Sequence, residues 1–438
     1  MRSARVPLPA DRYIPGVSLP ETLPPRLVTG VPGPRSRALA ARLARVESAD
    51  VTCLSPPPIF WDRAEGANVW DVDANRFVDL GGGFGVANVG HAHPRVVAAV
   101  GGQAGRLLHA MGDVHPPAVK VELLEALCAR FPGGGPARAV LGSSGSDAVE
   151  AALKTALLAT GRPGVVAFEG GYHGVSLGAL DVTARDFFRE PFAARLPGAT
   201  AFARYGDAAD AERAAEACPV PVGAVIVEPV QGRGGERIPP PGFLPALREL
   251  CDARGWLLIA DEVYTGFGRT GRWFACEHEA VVPDLLCAAK GLASGMPISA
   301  CLGREEVMAA WPASAGEARH TQTFLGHPAG CAAALASLAV LSEEKLVERS
   351  DELGRVALDF LERTLAGRAT ARGLGLMIGI ECDGPERAAR AVGAALERGV
   401  ILLPSGEDGR VLSVTPPLGI GRDALVSALG VVAECLAA

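Results

Sequence analysis

Residues 256–302 read WLLIADEVYTGFGRTGRWFACEHEAVVPDLLCAAKGLASGMPISACL, and their punctuation decides the fold. Three apolar runs, Trp256–Ala260, Leu285–Ala289 and Pro297–Leu302, each have the length of a buried strand. The first runs out into Asp261-Glu262-Val263 and the second into Lys290-Gly291. In an open α/β sheet, ligands collect outside the carboxyl ends of the strands. A charge placed there is costly unless an opposite charge or a hydrogen-bond partner meets it. Lys290 stands last on an apolar strand, where desolvation lowers a lysine's pKa and makes it a nucleophile and a base. A lysine that merely snorkels at a strand exit is an equal reading of Lys290 alone.

The same grammar extends upstream. Ala137–Leu141, Gly164–Phe168 and Ala224–Val227 read as further strands. Pro94–Leu108, Ala118–Arg130, Asp147–Thr160 and Pro241–Arg254 read as helices. Strands alternating with helices predict an α/β fold with a mostly parallel sheet covered by helices. Downstream, helices at Ala329–Glu343 and Leu346–Ala366 precede strands at Met377–Glu381 and Val411–Val414, which predicts a smaller α+β domain. The expected division is an N-terminal extension over 1–50, the first part of the small domain over 51–85, a large domain over 86–328 and the rest of the small domain over 329–438.

The remaining strand ends carry polar residues of distinct kinds. Ala137–Leu141 leads into Gly142-Ser143-Ser144-Gly145-Ser146-Asp147 and then a helix, where free backbone N–H groups and the helix dipole favour an anion. Ordinary capping by Ser146 or Asp147 is the plainer alternative. Without Gly-Lys-Ser/Thr this is no nucleoside-triphosphate loop. Gly164–Phe168 delivers Tyr172 and His173 among glycines, either a ring-stacking platform or a turn with a buried tyrosine. Ala224–Val227 ends on Glu228-Pro229. Taken together, an anion cradle, an aromatic, a carboxylate and a strand-end lysine are the set that pyridoxal phosphate needs. Its phosphate takes the cradle, its ring stacks on Tyr172, its ring nitrogen pairs with Asp261 and its aldehyde forms a Schiff base with Lys290.

Before this sheet, Asn68–Leu80 (NVWDVDANRFVDL) predicts a hairpin turning at Asp73-Ala74-Asn75. The following GGGFGVANVGHAHP has enough glycine to bring backbone close to a ligand, but lacks a strand–GxGxxG–helix context. Eight prolines in the first 34 positions disfavour regular structure there, and Arg35–Glu47 predicts one amphipathic helix that clasps the body, clasps a partner subunit or stays solvated.

Composition narrows the classes. Of 438 residues 49% are apolar, enough for a large core and too many for a disordered chain. With 42 Lys+Arg against 49 Asp+Glu, the net charge of -7 argues against a nucleic-acid surface. No uninterrupted apolar stretch of about 18 residues suggests a membrane span, and Met1–Pro20 has no apolar h-region. The ten cysteines include no C-x-x-C pair. They predict buried free thiols in a reducing cytoplasm and no metal site.

WDVDANRFVDL, GHAHPRVV, GSSGSDAVEAALK, GGYHG, EPVQGRGG, the block from Asp261 to Ala300, HTQTFLGHPAGCAAALA and TPPLGI together resemble the class III pyridoxal-phosphate aminotransferases of fold type I. The likeness covers residues 55 to 435. It implies a seven-stranded, mostly parallel sheet and pyridoxal 5'-phosphate as cofactor. Lys290 then resembles the Schiff-base lysine, and Asp261 the partner of the pyridinium nitrogen with Val263 behind the ring. Ser144, Gly145 and Ser146 resemble the phosphate cradle, and Tyr172, with His173 beside it, the stacking aromatic. Thr323 resembles a phosphate ligand given by the other subunit, which implies a homodimer and leaves a tetramer open.

Three departures stand out. Tyr264 replaces a common Gln, so a hydrogen bond to the cofactor's phenolic oxygen is lost or is remade by the Tyr hydroxyl. His327 replaces an Asn. Ser413 stands where many members have an Arg that binds an α-carboxylate, the Arg with which the Glu matching Glu228 pairs at rest. Glu228 is then free to face a substrate's distal ammonium, and Arg410 does not stand in for the missing Arg. Phe60, Trp61 and Phe84 are candidates for the substrate wall or for core aromatics.

The expected activity is transfer of an amino group from an amino acid or ω-amine (4-aminobutyrate, a diamine or a β-amino acid) to an oxo acid by a ping-pong Schiff-base route. The alternative on the same fold is an isomerase, a glutamate-1-semialdehyde aminomutase or an amino-acid epimerase. A non-catalytic relative is disfavoured by Lys290 and Asp261, and a nicotinamide oxidoreductase by the missing glycine fingerprint.

Overall fold

The computed structural model describes residues 21–437 apart from Ala366, so the first twenty positions of the expected extension lie outside it. Seven strands build the central sheet: β1 (Ala137–Gly142), β2 (Gly164–Phe168), β3 (Thr200–Ala203), β4 (Val222–Val227), β5 (Leu257–Asp261), β6 (Leu285–Ala288) and β7 (Ser299–Arg304). Their order across the sheet is β1-β7-β6-β5-β4-β2-β3. β7 runs antiparallel to both of its neighbours, and the other pairs are parallel. Six carboxyl ends therefore open on one edge, and β7 begins at that same edge. β2, β4 and β6 are buried at every position, as expected of parallel strands with helices on both faces. β3 is the strand that periodicity missed. It is a four-residue edge strand, TAFA, with three of its residues only half-buried.

Two smaller sheets flank this one. Trp61–Glu65, Asn68–Asp71 and Arg76–Asp79 form an antiparallel meander that Val400–Ile401 joins in parallel. Residues near both ends of the chain thus share a sheet. Thr370–Leu374, Met377–Glu381, Val411–Val414 and Leu403–Ser405 form the other, wholly antiparallel sheet. Position 328 opens the long buried helix Pro328–Glu343, whose N-terminus is capped by the His327 side chain accepting from the Gly330 N–H.

Two sets of polar residues bind these parts together. Arg269 is fully buried and donates to the carbonyls of Leu376 and Pro416 and to Asn88 Oδ1, tying the loop after β5 to the C-terminal strands. Burial pulls its guanidinium down to about 10. The hairpin turn holds the extension. Asp73 accepts from the N–H groups of Arg35 and Ser36 and so caps the helix Pro34–Leu43 from a distance in sequence, while Asn75 Oδ1 accepts from Val28 and Thr29. Of the three readings of this helix, clasping the body is the one observed within the chain. It ends four residues earlier than expected, at Leu43.

Of the ten cysteines, all free, six are buried and three half-buried, whereas Cys53 is exposed, contrary to the expectation of uniform burial. No helix among the described residues is long and apolar enough to cross a membrane.

Candidate active site

A cavity of about 360 Å³ lies at the carboxyl edge of the sheet, in the size range of small-ligand sites. Its walls are the strand ends in turn. Ser143–Ser146 follow β1, Tyr172–Gly174 follow β2, Glu228 follows β4, Asp261, Val263 and Tyr264 end and follow β5, and Ala289 and Lys290 follow β6. Gly295–Ile298 lead into β7, Val86 comes from the glycine-rich stretch and Arg233 from the loop after β4.

The cradle is a helix N-terminus. Ser144 caps the sixteen-residue helix Gly145–Thr160: its Oγ accepts from the Asp147 N–H at 3.2 Å, and Asp147 Oδ2 accepts from Ser143 and Ser144 N–H at 2.9 and 3.0 Å. This capping box uses Ser144 with Asp147, not Ser146. It leaves the N–H groups of Gly145 and Ser146, the first two of the helix, without intrahelical partners. Position 145 admits no side chain, since a Cβ would lie 2.9 Å from Val263 Cγ1. The donors, the dipole and the close backbone approach fit a phosphate.

At the floor, Asp261 is buried and its Oδ2 lies 2.7 Å from His173 Nδ1, while Oδ1 accepts from the Val263 N–H at 3.1 Å. With a carboxylate as acceptor, the proton belongs on Nδ1. Burial pushes the His173 imidazole down, but its bond to Asp261 outweighs this and holds it above its ordinary value. The pair is a buried carboxylate fixed in orientation, fit to hold a protonated pyridine nitrogen.

Lys290 sits off the end of β6 with φ 34°, a left-handed backbone that costs on the order of 1–3 kcal/mol in a non-glycine residue. Its Nζ lies 3.6 Å from the centroid of the Tyr264 ring. Burial pulls its ammonium down to about 8, opposed by Glu228 and Asp261 and assisted by Arg233 and Arg269. A lysine half deprotonated near pH 8 suits both imine formation and proton transfer.

The chain belongs to the class-III aminotransferases. The family's profile, aminotransferase class-III, matches residues 52–436. The acetylornithine aminotransferase of Methanopyrus kandleri is 42% identical over 383 residues, covering 87% of this chain and 95% of its own. The 4-aminobutyrate aminotransferase of Mycobacterium tuberculosis H37Rv is 40% identical over 448 residues, covering 94% and 98%. The ornithine aminotransferase of Toxoplasma gondii, in a structure described as having partial occupancy of PLP at its active site, superposes with TM-score 0.82 at 31% identity over 91% of this chain and 93% of that one. The fold is that of the type I pyridoxal-phosphate aminotransferases.

Of the residues this class-III aminotransferase was expected to place around its cofactor, Ser144, Gly145, Ser146, Tyr172, His173, Glu228, Asp261, Val263, Tyr264 and Lys290 all line the one cavity. Thr323 does not. It is exposed, on the segment that precedes the helix Pro328–Glu343.

The expected substrate wall fares differently. Phe60, Trp61, Phe84 and Ser413 do not line the cavity. Trp61 packs edge-on against His91 and is 44% exposed, and Phe84 is 61% exposed. Ser413 is buried with its hydroxyl donated to Glu236 Oε1 at 2.6 Å. Burial pushes that Glu236 carboxyl up to about 7 against the pull of Ser413.

Glu228 lines the cavity, and the backbone fixes its carboxylate in place. Its two oxygens accept from the N–H groups of Tyr172 and Gly232, at 2.9 and 3.0 Å. Arg410 pairs with Asp408 at the surface, away from the cavity. The Tyr264 hydroxyl is engaged with Thr415 Oγ1 at 3.1 Å. Of the GGGFG stretch, Gly85 is the glycine that approaches this tyrosine, since a Cβ there would overlap the Tyr264 ring, whereas one on Gly82 would meet the Thr415 carbonyl.

Of the lining residues that sequence reasoning left out, Arg233 is the one that carries a charge. It stands inside the quoted EPVQGRGG, and its signal was a lone cation among glycines just past a strand end.

Proposed function

We propose that the chain is a pyridoxal-phosphate enzyme that moves the terminal amino group of an ω-amino acid or related amine to an oxo acid. The observation that carries this is Lys290 and the Asp261–His173 pair in one cavity with the open N-terminus of Gly145–Thr160. Bound there, pyridoxal phosphate supplies an electron sink for the carbanion formed beside the transferred nitrogen.

The chain's own residues do the rest. The N–H groups of Gly145 and Ser146 hold the phosphate, and Tyr172 and Val263 enclose the ring. Asp261, fixed by His173, keeps a proton on the ring nitrogen. Lys290 takes the proton from the substrate carbon and returns it, its depressed ammonium being readily deprotonated.

The terminal-amine reading is supported by the relatives named for 4-aminobutyrate and acetylornithine. The isomerase alternative is not favoured, because these relatives are aminotransferases.

The working unit in this reading is a homodimer, with Thr323 completing the partner's phosphate site. Residues 107–115 lie against 321–327, with Gly112 on the Leu325 carbonyl and His109 against Phe324 at 5.5 Å. Leu108, Met111, Val114 and Phe324 remain exposed there, which supports an apolar face meant for a second copy. Ten free thiols support a reducing cytoplasm.

The test is an absorption titration of the holoenzyme with a panel of amines and amino acids, without any oxo acid. Bleaching of the visible band by terminal-amine donors is expected. No band after adding pyridoxal phosphate overturns the proposal, and a band that only α-amino acids bleach overturns the donor class.

A further inference from the structure

We propose that Arg233 binds the carboxylate of the amino donor and of the oxo-acid acceptor, taking the part that position 413 cannot play with a serine. This rests on the aminotransferase reading above and names the charge its substrates must carry.

Arg233 is the one arginine in the cavity wall. Among the described residues its guanidinium makes no hydrogen bond and no ion pair, while its carbonyl accepts from the Gly406 N–H at 3.0 Å. Its guanidinium lies 5.2 Å from the ring centroid of Tyr172 and 5.5 Å from that of Phe188. Stacking on aromatic faces orients a guanidinium while leaving its five N–H donors for a ligand. The nearby carboxylate, Glu228, is already held by two backbone N–H groups.

The loop that carries Arg233 is pinned. Gln231 and Arg237 exchange backbone hydrogen bonds at 3.0 Å in each direction, and Gln231 Nε2 donates to the Glu169 carbonyl at 2.7 Å. Gly232 and Gly234 flank the arginine. A Cβ on Gly232 would overlap Tyr264, and one on Gly234 would lie 2.8 Å from the Gly170 carbonyl. The guanidinium therefore projects from a fixed backbone, packed on Tyr264 through Gly232, toward the rings of Tyr172 and Phe188.

A second cation reinforces the need for an anion. Arg185 shares the Phe188 ring, at 5.6 Å, and donates to the carbonyls of Gly406 and Glu407. Two guanidiniums around one aromatic ring repel, and a carboxylate beside Arg233 relieves that. With the amine committed to the Lys290 side and the carboxylate to the Arg233 side, the cavity selects amino carboxylates over simple amines. Arginine is suited to such planar, bidentate recognition.

The experiment compares holoenzyme carrying Arg233→Ala and Arg233→Lys with the unsubstituted holoenzyme. Glutarate, which cannot react, is titrated by calorimetry, and 4-aminobutyrate and n-butylamine are each titrated by the bleaching of the visible band. Arg233→Ala is expected to weaken glutarate and 4-aminobutyrate about 100-fold and to leave n-butylamine within about 3-fold. Arg233→Lys should fall between. Arg233 is exposed, and a retained visible band shows that the variant is folded and loaded. Glutarate that binds both proteins equally, or does not bind the unsubstituted one, overturns the inference while leaving the aminotransferase reading intact. Failure of the unsubstituted protein to take up pyridoxal phosphate overturns that reading itself.

Discussion

The Lys290 Nζ stands 3.6 Å above the ring of Tyr264, and that ring is clamped between Gly85 and Gly232. The tyrosine is a platform for the lysine, and its hydroxyl is turned to Thr415. Gly85→Ala and Gly232→Ala each place a methyl group into the ring, and at Gly85 the left-handed φ of 68° adds strain. Each substitution is expected to cost about 1–3 kcal/mol in urea denaturation and to lower kcat by tenfold or more. Unchanged stability and rate in both variants would show that the ring is free to move.

The depressed Lys290 ammonium has a defined pH signature in the cofactor-free protein. In the folded state it titrates near 8 instead of the ordinary 10.5. Between those values the unfolded chain binds more protons than the folded one, so stability rises with pH there. Below pH 8 the buried charge exacts its full cost. Lys290→Met is therefore expected to be more stable than the parent at pH 7, with the difference shrinking as pH climbs from about 8 to 10.5. Thermal melts of the two apoproteins across this range check it, and a constant offset contradicts it.

Asp261 is held by His173 on one oxygen and by the Val263 N–H on the other. Asp261→Asn keeps the shape and removes the charge. It is expected to retain cofactor, read by absorption, while losing at least tenfold in rate, about 1.4 kcal/mol. A smaller loss argues against an electronic role for this carboxylate.

Asp73 caps the helix Pro34–Leu43 through the N–H groups of Arg35 and Ser36. Asp73→Ala removes both bonds, at a cost of about 0.5–2 kcal/mol. Trypsin should then cut at Arg35, Arg37 and Arg42 severalfold faster, with kcat unchanged. Cleavage at the parental rate would show that the extension is held by other contacts.

Much of this architecture was legible in the sequence because the signals were short-range. Gly164–Phe168, Met377–Glu381 and Val411–Val414 have the boundaries their apolar runs suggested. The strand ends announced the cavity because Asp261 and Lys290 are charges that an apolar strand does not carry without cause. What the sequence hid depends on contacts across long separations. β3 is too short and too exposed to show a period. The pairing of Ser413 with Glu236, and of Glu228 with the backbone of Tyr172 and Gly232, is decided by loops whose paths no local pattern encodes. Arg233 carries no local pattern that sets it apart from a solvated cation, and the pinned loop is what places it in the cavity wall. The glycines before Val86 announced a close approach correctly but not its objects, which are Tyr264 for Gly85 and the Thr415 carbonyl for Gly82.

The central claim is that Lys290 is the residue that joins the cofactor. The chain has only four lysines, Lys120, Lys154, Lys290 and Lys345, so the site can be read without ambiguity. Borohydride reduction of the protein loaded with pyridoxal phosphate, followed by peptide mass mapping, tests it most directly. A pyridoxyl group on the peptide containing Lys290 is the predicted result. The same group on another lysine, or on none, contradicts the account.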